Sequence, residues 1–215
     1  LLDNAPTGLL PGKHYTALVS ADNFGLGKIA AAGLSAHLAQ GAAVGVLGFA
    51  ADFFATNERE IAFTKWLQTN RADLDLHVAR FDRMDEAAAV AKRMVAEHPA
   101  LAGLFVVWDT PAMAVSDWLR YAGRSLPIAT VDLGEAAAID MARGGSTCCI
   151  AAQQPYQQGI AAAQTVILSL LARPVPAWIA LPGISVTRDT VVESFQKVWR
   201  QPAPKEVLRL LGLSG

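Results

Sequence analysis

Hydrophobic and polar positions define two kinds of segment that alternate along the chain. Short apolar runs such as "AVGVLGF" (43–49) are typical of strands that helices cover on both faces. Between them, apolar residues recur every three or four positions, which indicates helices with one buried side. The predicted strands are 15–20, 43–49, 74–80, 102–108, 126–132, 146–152, 177–184 and 184–191. The predicted helices are 23–41, 57–70, 85–99, 111–123, 135–145, 155–172 and 191–201.

This β-α-β-α order with short connections predicts an α/β fold, a parallel sheet with helices on both faces. Ligands of such sheets bind beyond the carboxyl ends of the strands. The residues expected there combine polar groups with flat aromatic rings and include no nucleophile with an adjacent base. They are 20–23, 49–54, 80–82, 108–109, Asp132 and 153–154, with Asp3 and Asn4 as further candidates.

Composition narrows the function classes. The 215 residues, 53% of them hydrophobic, can form one large core or two lobes of about 100 residues. A net charge of −1 gives no reason to expect nucleic acid or an anionic membrane as partner. No apolar run reaches the roughly 20 residues of a membrane helix. Cys148 and Cys149 are adjacent, so a strained bridge between them is not expected, and the redox compartment stays undetermined.

Cofactor and metal motifs are weak. The G-x-G of "FGLGK" (24–28) lacks a third glycine, and Asp22 before it would repel a phosphate. No pair of histidines has metal-ligand spacing, so neither metal nor cofactor is predicted. Asp109 and Asp132 could form a catalytic carboxylate pair, or they could accept hydrogen bonds from ligand hydroxyls. The residues themselves leave both alternatives open.

Four segments, in this order and spacing, resemble the periplasmic sugar-binding proteins of bacterial ABC transporters, of the ribose-binding-like kind. They are "VSADNFGLGKIAA", "AEHPALAGLFVVWDTPAMAV", "LPIATVDLGEAAAIDMARGG" and "IAAQQPYQQGIAA". The resemblance extends from Leu1 to about Val192 and implies a type I periplasmic-binding-protein fold, truncated at its N-terminus. It implies one near-complete, Rossmann-like lobe (22–152) and parts of a first lobe (1–20 and 154–182), followed by a C-terminal crossing and tail (183–215).

The resemblance also implies binding residues. Gln153 would lie on a crossing between lobes, where its amide can donate to and accept from a ligand hydroxyl. Asp3 and Asp132 match carboxylates that bind sugar hydroxyls, Arg59 matches a donor to sugar oxygens, and Phe81 matches an aromatic ring against the sugar.

Two departures from the family pattern indicate a less polar pocket. Asn4 replaces a frequent arginine, and Trp108 replaces a frequent asparagine, while Phe53 and Phe54 stand where small polar residues are common. We expect Asn4 and Trp108 to contact the ligand and the indole to face the cleft, where it can stack on a sugar. The ligand would be a sugar, including deoxy or otherwise modified sugars, or a polyol-like metabolite.

The resulting functional prediction is a receptor and not an enzyme. Two lobes close on a small ligand, and an ABC permease recognises the closed form, outside the cytoplasm: in the periplasm, or secreted and lipid-anchored. Neither nucleic acid nor membrane insertion is expected. The alternative is the effector-binding domain of a LacI-type regulator, although "GGSTCCIAAQQPY" is closer to the transporter type.

The truncation expected from the resemblance would leave part of the first lobe uncovered. The helix 155–172 would then expose an apolar stripe beside unpaired strand edges, which predicts self-association. Because half of the cleft wall would be missing, we also expect weak sugar binding by this chain. The stripe comprises Ile160, Val166, Ile167, Leu170 and Leu171.

Overall fold

The computed structural model describes residues 1–213 and contains two β-sheets. The strands are β1 (Leu18–Ala21), β2 (Ala43–Phe49), β3 (Asp75–Phe81), β4 (Leu101–Val106), β5 (Ile128–Val131), β6 (Thr147–Ala152), β7 (Trp178–Leu181) and β8 (Ile184–Val186). The helices are α1 (Asn23–Ser35), α2 (Phe54–Asn70), α3 (Ala87–Glu97), α4 (Asp109–Tyr121), α5 (Glu135–Arg143), α6 (Pro155–Leu170), α7 (Val191–Trp199) and α8 (Lys205–Leu210). A short 3-10 turn, Met84–Glu86, precedes α3.

The larger sheet has the strand order β3-β2-β4-β5-β6-β8, in which only β8 runs antiparallel to its neighbour. Strand β6 shows how both faces are covered, because successive side chains of a strand point to opposite faces. Cys149 and Ala151 pack in the core that includes α1, whereas Ile150 and Ala152 pack with residues of α5 and α7. The sequence prediction of a parallel sheet between two helical layers is confirmed.

The smaller sheet contains only β1 and β7, paired in parallel, and α6 packs beside it. Gln158 and Thr165 are the buried residues of α6, so most of this helix faces outward. All five apolar residues of the predicted stripe are exposed, Leu170 the most at 81%. The expected exposed apolar face therefore exists in the structure.

The chain passes between the sheets at three adjacent points, after β1, after β6 and after β7. The backbone N–H of Asp22 donates to the Leu181 carbonyl at 2.7 Å, and Gln154 Nε2 donates to the Pro182 carbonyl at 2.8 Å. Gly183 contacts α1 so closely that a Cβ atom there would lie 2.4 Å from a methyl carbon of Leu26. The three crossings are thus hydrogen-bonded to one another along one edge of the larger sheet.

Several predicted bounds differ from the observed ones. The helix expected over 23–41 ends at Ser35 because the Arg71 guanidinium binds the carbonyls that follow, at 3.2 Å for Ser35 and 2.9 Å for Ala39. The helix expected from residue 57 begins at Phe54, and α8 was not predicted.

Within residues 1–213, no helix has both the length and the apolar character of a membrane span.

Candidate functional site

A cavity of about 360 Å³ opens at the carboxyl ends of the strands of the larger sheet. Residues from the first segment of the chain, from the loops after β2, β3, β4, β5 and β6, and from the first turns of α2 form its wall. The lining residues are Asp3, Asn4, Phe49, Phe53, Ala55, Thr56, Arg59, Met84, Trp108, Asp132 and Gln153. The cavity therefore brings together six of the seven residues that the sequence analysis selected.

Arg59 provides the positive charge of the cavity. Its side chain is 4% exposed and is fixed by two neighbours: Nε donates to Asn23 Oδ1 at 3.0 Å, and Nη1 donates to the Val107 carbonyl at 3.3 Å. The same Nη1 lies 3.5 Å from Asp132 Oδ2. Within the described residues Nη2 has no hydrogen-bond partner, so this nitrogen can donate to a ligand.

Asp132 follows β5 directly and lies between the guanidinium and an amide. Its Oδ1 accepts a hydrogen bond from Gln153 Nε2 at 2.5 Å, while Gln153 Oε1 accepts one from Gln158 Nε2 at 3.0 Å. The backbone of Asp132 is left-handed, with φ of 74°. This chain of contacts orients the carboxylate, and its 30% exposed side chain can still reach a ligand.

Asp3 has a carboxylate oxygen without a hydrogen-bond partner among the described residues. Its Oδ2 accepts from Asn4 Nδ2 at 3.0 Å, whereas the buried Oδ1 has no partner within residues 1–213. Burial raises the pKa of this carboxyl group, Arg59 opposes the rise, and Asp132 adds to it. A buried acceptor without a donor is costly, so Oδ1 is suited to accept a hydrogen bond from a ligand.

Asn4 connects the first segment of the chain to the larger sheet's helices. Its Oδ1 accepts a hydrogen bond from the backbone N–H of Ala55 at 3.2 Å, in the first turn of α2. Phe53, the residue that begins this helix, makes no side-chain cap. Both the nitrogen and the oxygen of the Asn4 amide therefore have a partner inside the protein, and these bonds position the first segment of the chain at the cavity wall.

Aromatic rings form another part of the wall. The Phe49 ring meets the Trp108 ring edge-on at 5.2 Å between centroids and lies 6.1 Å from the Phe53 ring. Trp108 lines the cavity, as the sequence analysis expected. Phe54 does not; its ring packs near Trp178 of the smaller sheet.

Phe81, which the sequence predicted to lie against the ligand, does not line the cavity. It is the last residue of β3, is 1% exposed, and lies behind Phe49 and Trp108, at 5.6 and 5.4 Å between centroids. Its ring supports the wall without reaching the cavity. Phe49 and Met84 occupy the wall instead, and for Met84, in an irregular turn, the hydrophobic pattern carried no signal.

Asp109 faces a neighbouring cavity of about 290 Å³, which shares Asp132 and Gln153 with the first. Its Oδ2 accepts a hydrogen bond from the Gly134 N–H at 2.8 Å, at the start of α5. Burial and the nearby Asp132 raise its pKa. This hydrogen bond favours a structural role for Asp109 over a catalytic pair with Asp132.

Among residues 1–213, no group of three His, Cys, Asp or Glu side chains is placed to hold a metal ion.

Comparison with solved structures supports the fold. The chain is 22% identical to the periplasmic component of an ABC-type sugar transport system from Hahella chejuensis, with a TM-score of 0.77 over 86% of this chain and 67% of that one. A solute-binding protein of an ABC transporter from Agrobacterium vitis, bound with α-D-tagatopyranose, gives 19% identity and a TM-score of 0.82 over 94% and 70%. A carbohydrate transporter solute-binding protein from Agrobacterium radiobacter, in complex with D-arabinose, gives 16% and 0.80 over 92% and 69%.

No curated protein matches the chain. The model of the family described as "Periplasmic binding protein domain" matches residues 4–172, which is most of the chain and contains every residue of the cavity wall except Asp3. The chain therefore belongs to the periplasmic binding protein domain family.

Proposed function

We propose that this protein is the solute-binding receptor of a bacterial ABC importer, which captures a small sugar or sugar-like ligand between two lobes. One observation carries the proposal: Asp3, whose buried Oδ1 has no hydrogen-bond partner within residues 1–213, lines the same cavity as Arg59 and Trp108. Acceptors, donors and a flat apolar surface are what a sugar requires, because its ring presents both hydroxyl groups and C–H faces.

Each polar group of the cavity has its own role in the proposed binding. Asp3 and Asp132 accept hydrogen bonds from ligand hydroxyls, and the free Nη2 of Arg59 donates to a ring or hydroxyl oxygen. Gln153 holds Asp132 through its Nε2 and lies on the crossing after β6. None of these roles breaks a covalent bond, so the proposed activity is capture and not catalysis.

We assign residues 22–152, whose strands belong to the larger sheet, to the second lobe, and residues 1–20 and 154–182 to the first lobe; the division into two sheets supports this assignment. Residues 183–215 form the last crossing and the tail, of which residues 214 and 215 lie outside the described part of the chain. Closure would move the lobes about the three crossings, and the closed form would present both lobes to a permease.

The family and the sugars bound to the similar structures support an extracytoplasmic receptor, in the periplasm or lipid-anchored at the cell surface. Neither supports an effector domain of a LacI-type regulator in particular, and no contact in the cavity favours that alternative. Self-association of this chain through the exposed face of α6 is a separate proposal, considered in the Discussion.

A thermal-shift screen of sugars and polyols on the full-length gene product tests the proposal, because a ligand that binds the folded state raises the melting temperature. We expect a sugar to raise it and Asp132→Asn to reduce the shift. Asp117→Asn, which removes an exposed ion pair with Arg120 on α4, is the matched control and should retain the full shift. No shift with any sugar or polyol would contradict the receptor function.

A further inference from the structure

The cavity wall has a polar half and an apolar half. Charged and amide groups that can bind hydroxyls form the polar half, and they are Asp3, Arg59, Asp132 and Gln153. Phe49, Phe53, Met84 and Trp108 form the apolar half. A ligand that fills the cavity therefore meets both hydrogen-bonding groups and hydrocarbon.

The apolar half is accessible to a ligand. Phe53 and Met84 are 50% and 53% exposed, although both are large hydrophobic residues. The Phe49 ring joins the Phe53 ring to the Trp108 indole, so the surface is continuous. Binding is favoured when the C–H groups of a ligand cover exposed apolar surface of this kind and remove it from water.

Polar side chains close to the apolar half are already bound elsewhere. The Thr56 hydroxyl donates to the Phe53 carbonyl at 3.2 Å, and Asn57 Nδ2 donates to Asp52 Oδ1 at 2.7 Å. Asn4 likewise bonds Asp3 and Ala55. A ligand hydroxyl placed against the Phe53 and Met84 side chains would exchange water for hydrocarbon, which costs binding free energy.

We propose that the site selects sugars whose end distant from the polar half is apolar, namely 6-deoxyhexoses, in which a methyl group replaces the hydroxymethyl group. The inference rests on the proposed receptor function and specifies its ligand class. The hydroxyls of the ring meet Asp3, Arg59 and Asp132, and the methyl group packs against Phe53 and Met84.

Matched sugar pairs test the inference, because each pair differs only by the oxygen on C6. Calorimetric titration of the full-length gene product uses D-fucose with D-galactose, L-rhamnose with L-mannose, and 6-deoxy-D-glucose with D-glucose. In the pair whose ring stereochemistry fits, we expect the deoxy member to bind at least about tenfold more tightly, since the C6 hydroxyl of the other member would lie against hydrocarbon. Equal affinities, or tighter binding of the hydroxymethyl sugars, overturn the inference and leave the receptor function standing.

Two substitutions of Phe53 test whether the preference for deoxy sugars arises from the apolar half of the wall. Phe53→Gln supplies a donor and an acceptor and should remove most of the deoxy preference, whereas Phe53→Leu keeps the surface apolar and should retain it. An unchanged preference in Phe53→Gln contradicts the assignment to this wall. If none of the six hexoses binds, the inference fails; the pentoses D-arabinose and D-ribose in the same series then decide whether the receptor function fails as well.

Discussion

At the residue scale, two aspartates combine an unusual backbone with a position in the cavity. Asp3 and Asp132 have φ of 69° and 74°, a left-handed conformation that few residues other than glycine adopt. Aspartate and asparagine tolerate this conformation better than most residues, and strained backbone concentrates at binding sites. Asparagine is therefore the suitable replacement at both positions, since it changes the charge and preserves the backbone.

Asp132→Asn should weaken sugar binding by about 2–3 kcal/mol, because a charged acceptor is lost where Arg59 and Gln153 still converge. Calorimetry with the sugar that gives the largest thermal shift measures the loss. Asp117→Asn serves as the control for the charge change. An affinity within twofold of the parent protein would show that Asp132 does not contact the ligand.

The raised pKa of Asp3 predicts a pH dependence of stability. Burial is the main cause, so the folded protein binds a proton on Asp3 more tightly than the unfolded chain does. The unfolding free energy contributed by this group therefore falls as pH rises from the ordinary carboxyl range through the raised pKa. Neutral pH is the condition in which the ionised, half-buried group is least favourable.

Urea unfolding of the ligand-free protein and of Asp3→Asn, at several values between about pH 4 and pH 7, measures this contribution. We expect Asp3→Asn to gain stability relative to the parent protein as pH rises. Glu60 and Asp109, whose pKa values are also raised, are present in both proteins and cancel in the difference. A difference that stays constant with pH would contradict a raised pKa at Asp3.

The sequence predicts the location of a site residue when that residue stands at the end of a predicted strand. Asp132 and Trp108 directly follow apolar strands, so their location at the sheet edge follows from the pattern alone. Phe81 was misplaced because it ends β3 with its side chain on the covered face of the strand. Met84 contacts the cavity from a 3-10 turn, a conformation that hydrophobic periodicity does not encode.

At the element scale, α2 shows how a distant residue sets a helix start. The sequence predicted a start at residue 57, yet the helix begins at Phe54 because Asn4 accepts the N–H of Ala55. A partner 51 positions away cannot be inferred from local signals. Local patterns, by contrast, located all six strands of the larger sheet: β2, for example, is a continuous apolar run buried on both faces, and β3 alternates between apolar and polar residues.

Asn4→Ala should lower the unfolding free energy by about 1 kcal/mol, the usual contribution of a helix cap. Urea unfolding measures the loss. Asn57→Ala is the control, because it removes only an exposed bond to Asp52 from the same first turns of α2. If both variants lose the same amount, the bond from Ala55 to Asn4 contributes nothing particular to stability.

At the scale of the whole molecule, α6 presents an apolar face without a covering partner in the described structure. Leu170 and Leu171 are 81% and 65% exposed, and two more apolar residues of this face exceed half exposure. Apolar patches of this kind promote association in water. We therefore expect the 215-residue chain to self-associate when it is studied alone.

Light scattering at tens of micromolar should show a mass above that of one 22.7 kDa chain, and Leu170→Lys should reduce it. Tyr121→Lys places the same charge at an equally exposed apolar position at the end of α4 and should leave the mass unchanged. A clean monomer of the parent chain would contradict the expectation.

The three hydrogen-bonded crossings have a kinetic consequence. They lie at the β6–β8 edge of the larger sheet. Neighbouring strands are spaced about 4.8 Å apart, which places the ends of β2 and β3 roughly 14 and 19 Å from β6. Under the proposed lobe closure, opening would turn about this edge, so Gln153 and Asp132 would move little and Phe53 and Met84 would travel furthest. The encounter with a ligand would then depend on the nearly stationary polar end, and its residence time would depend on how long the moving apolar end stays in place.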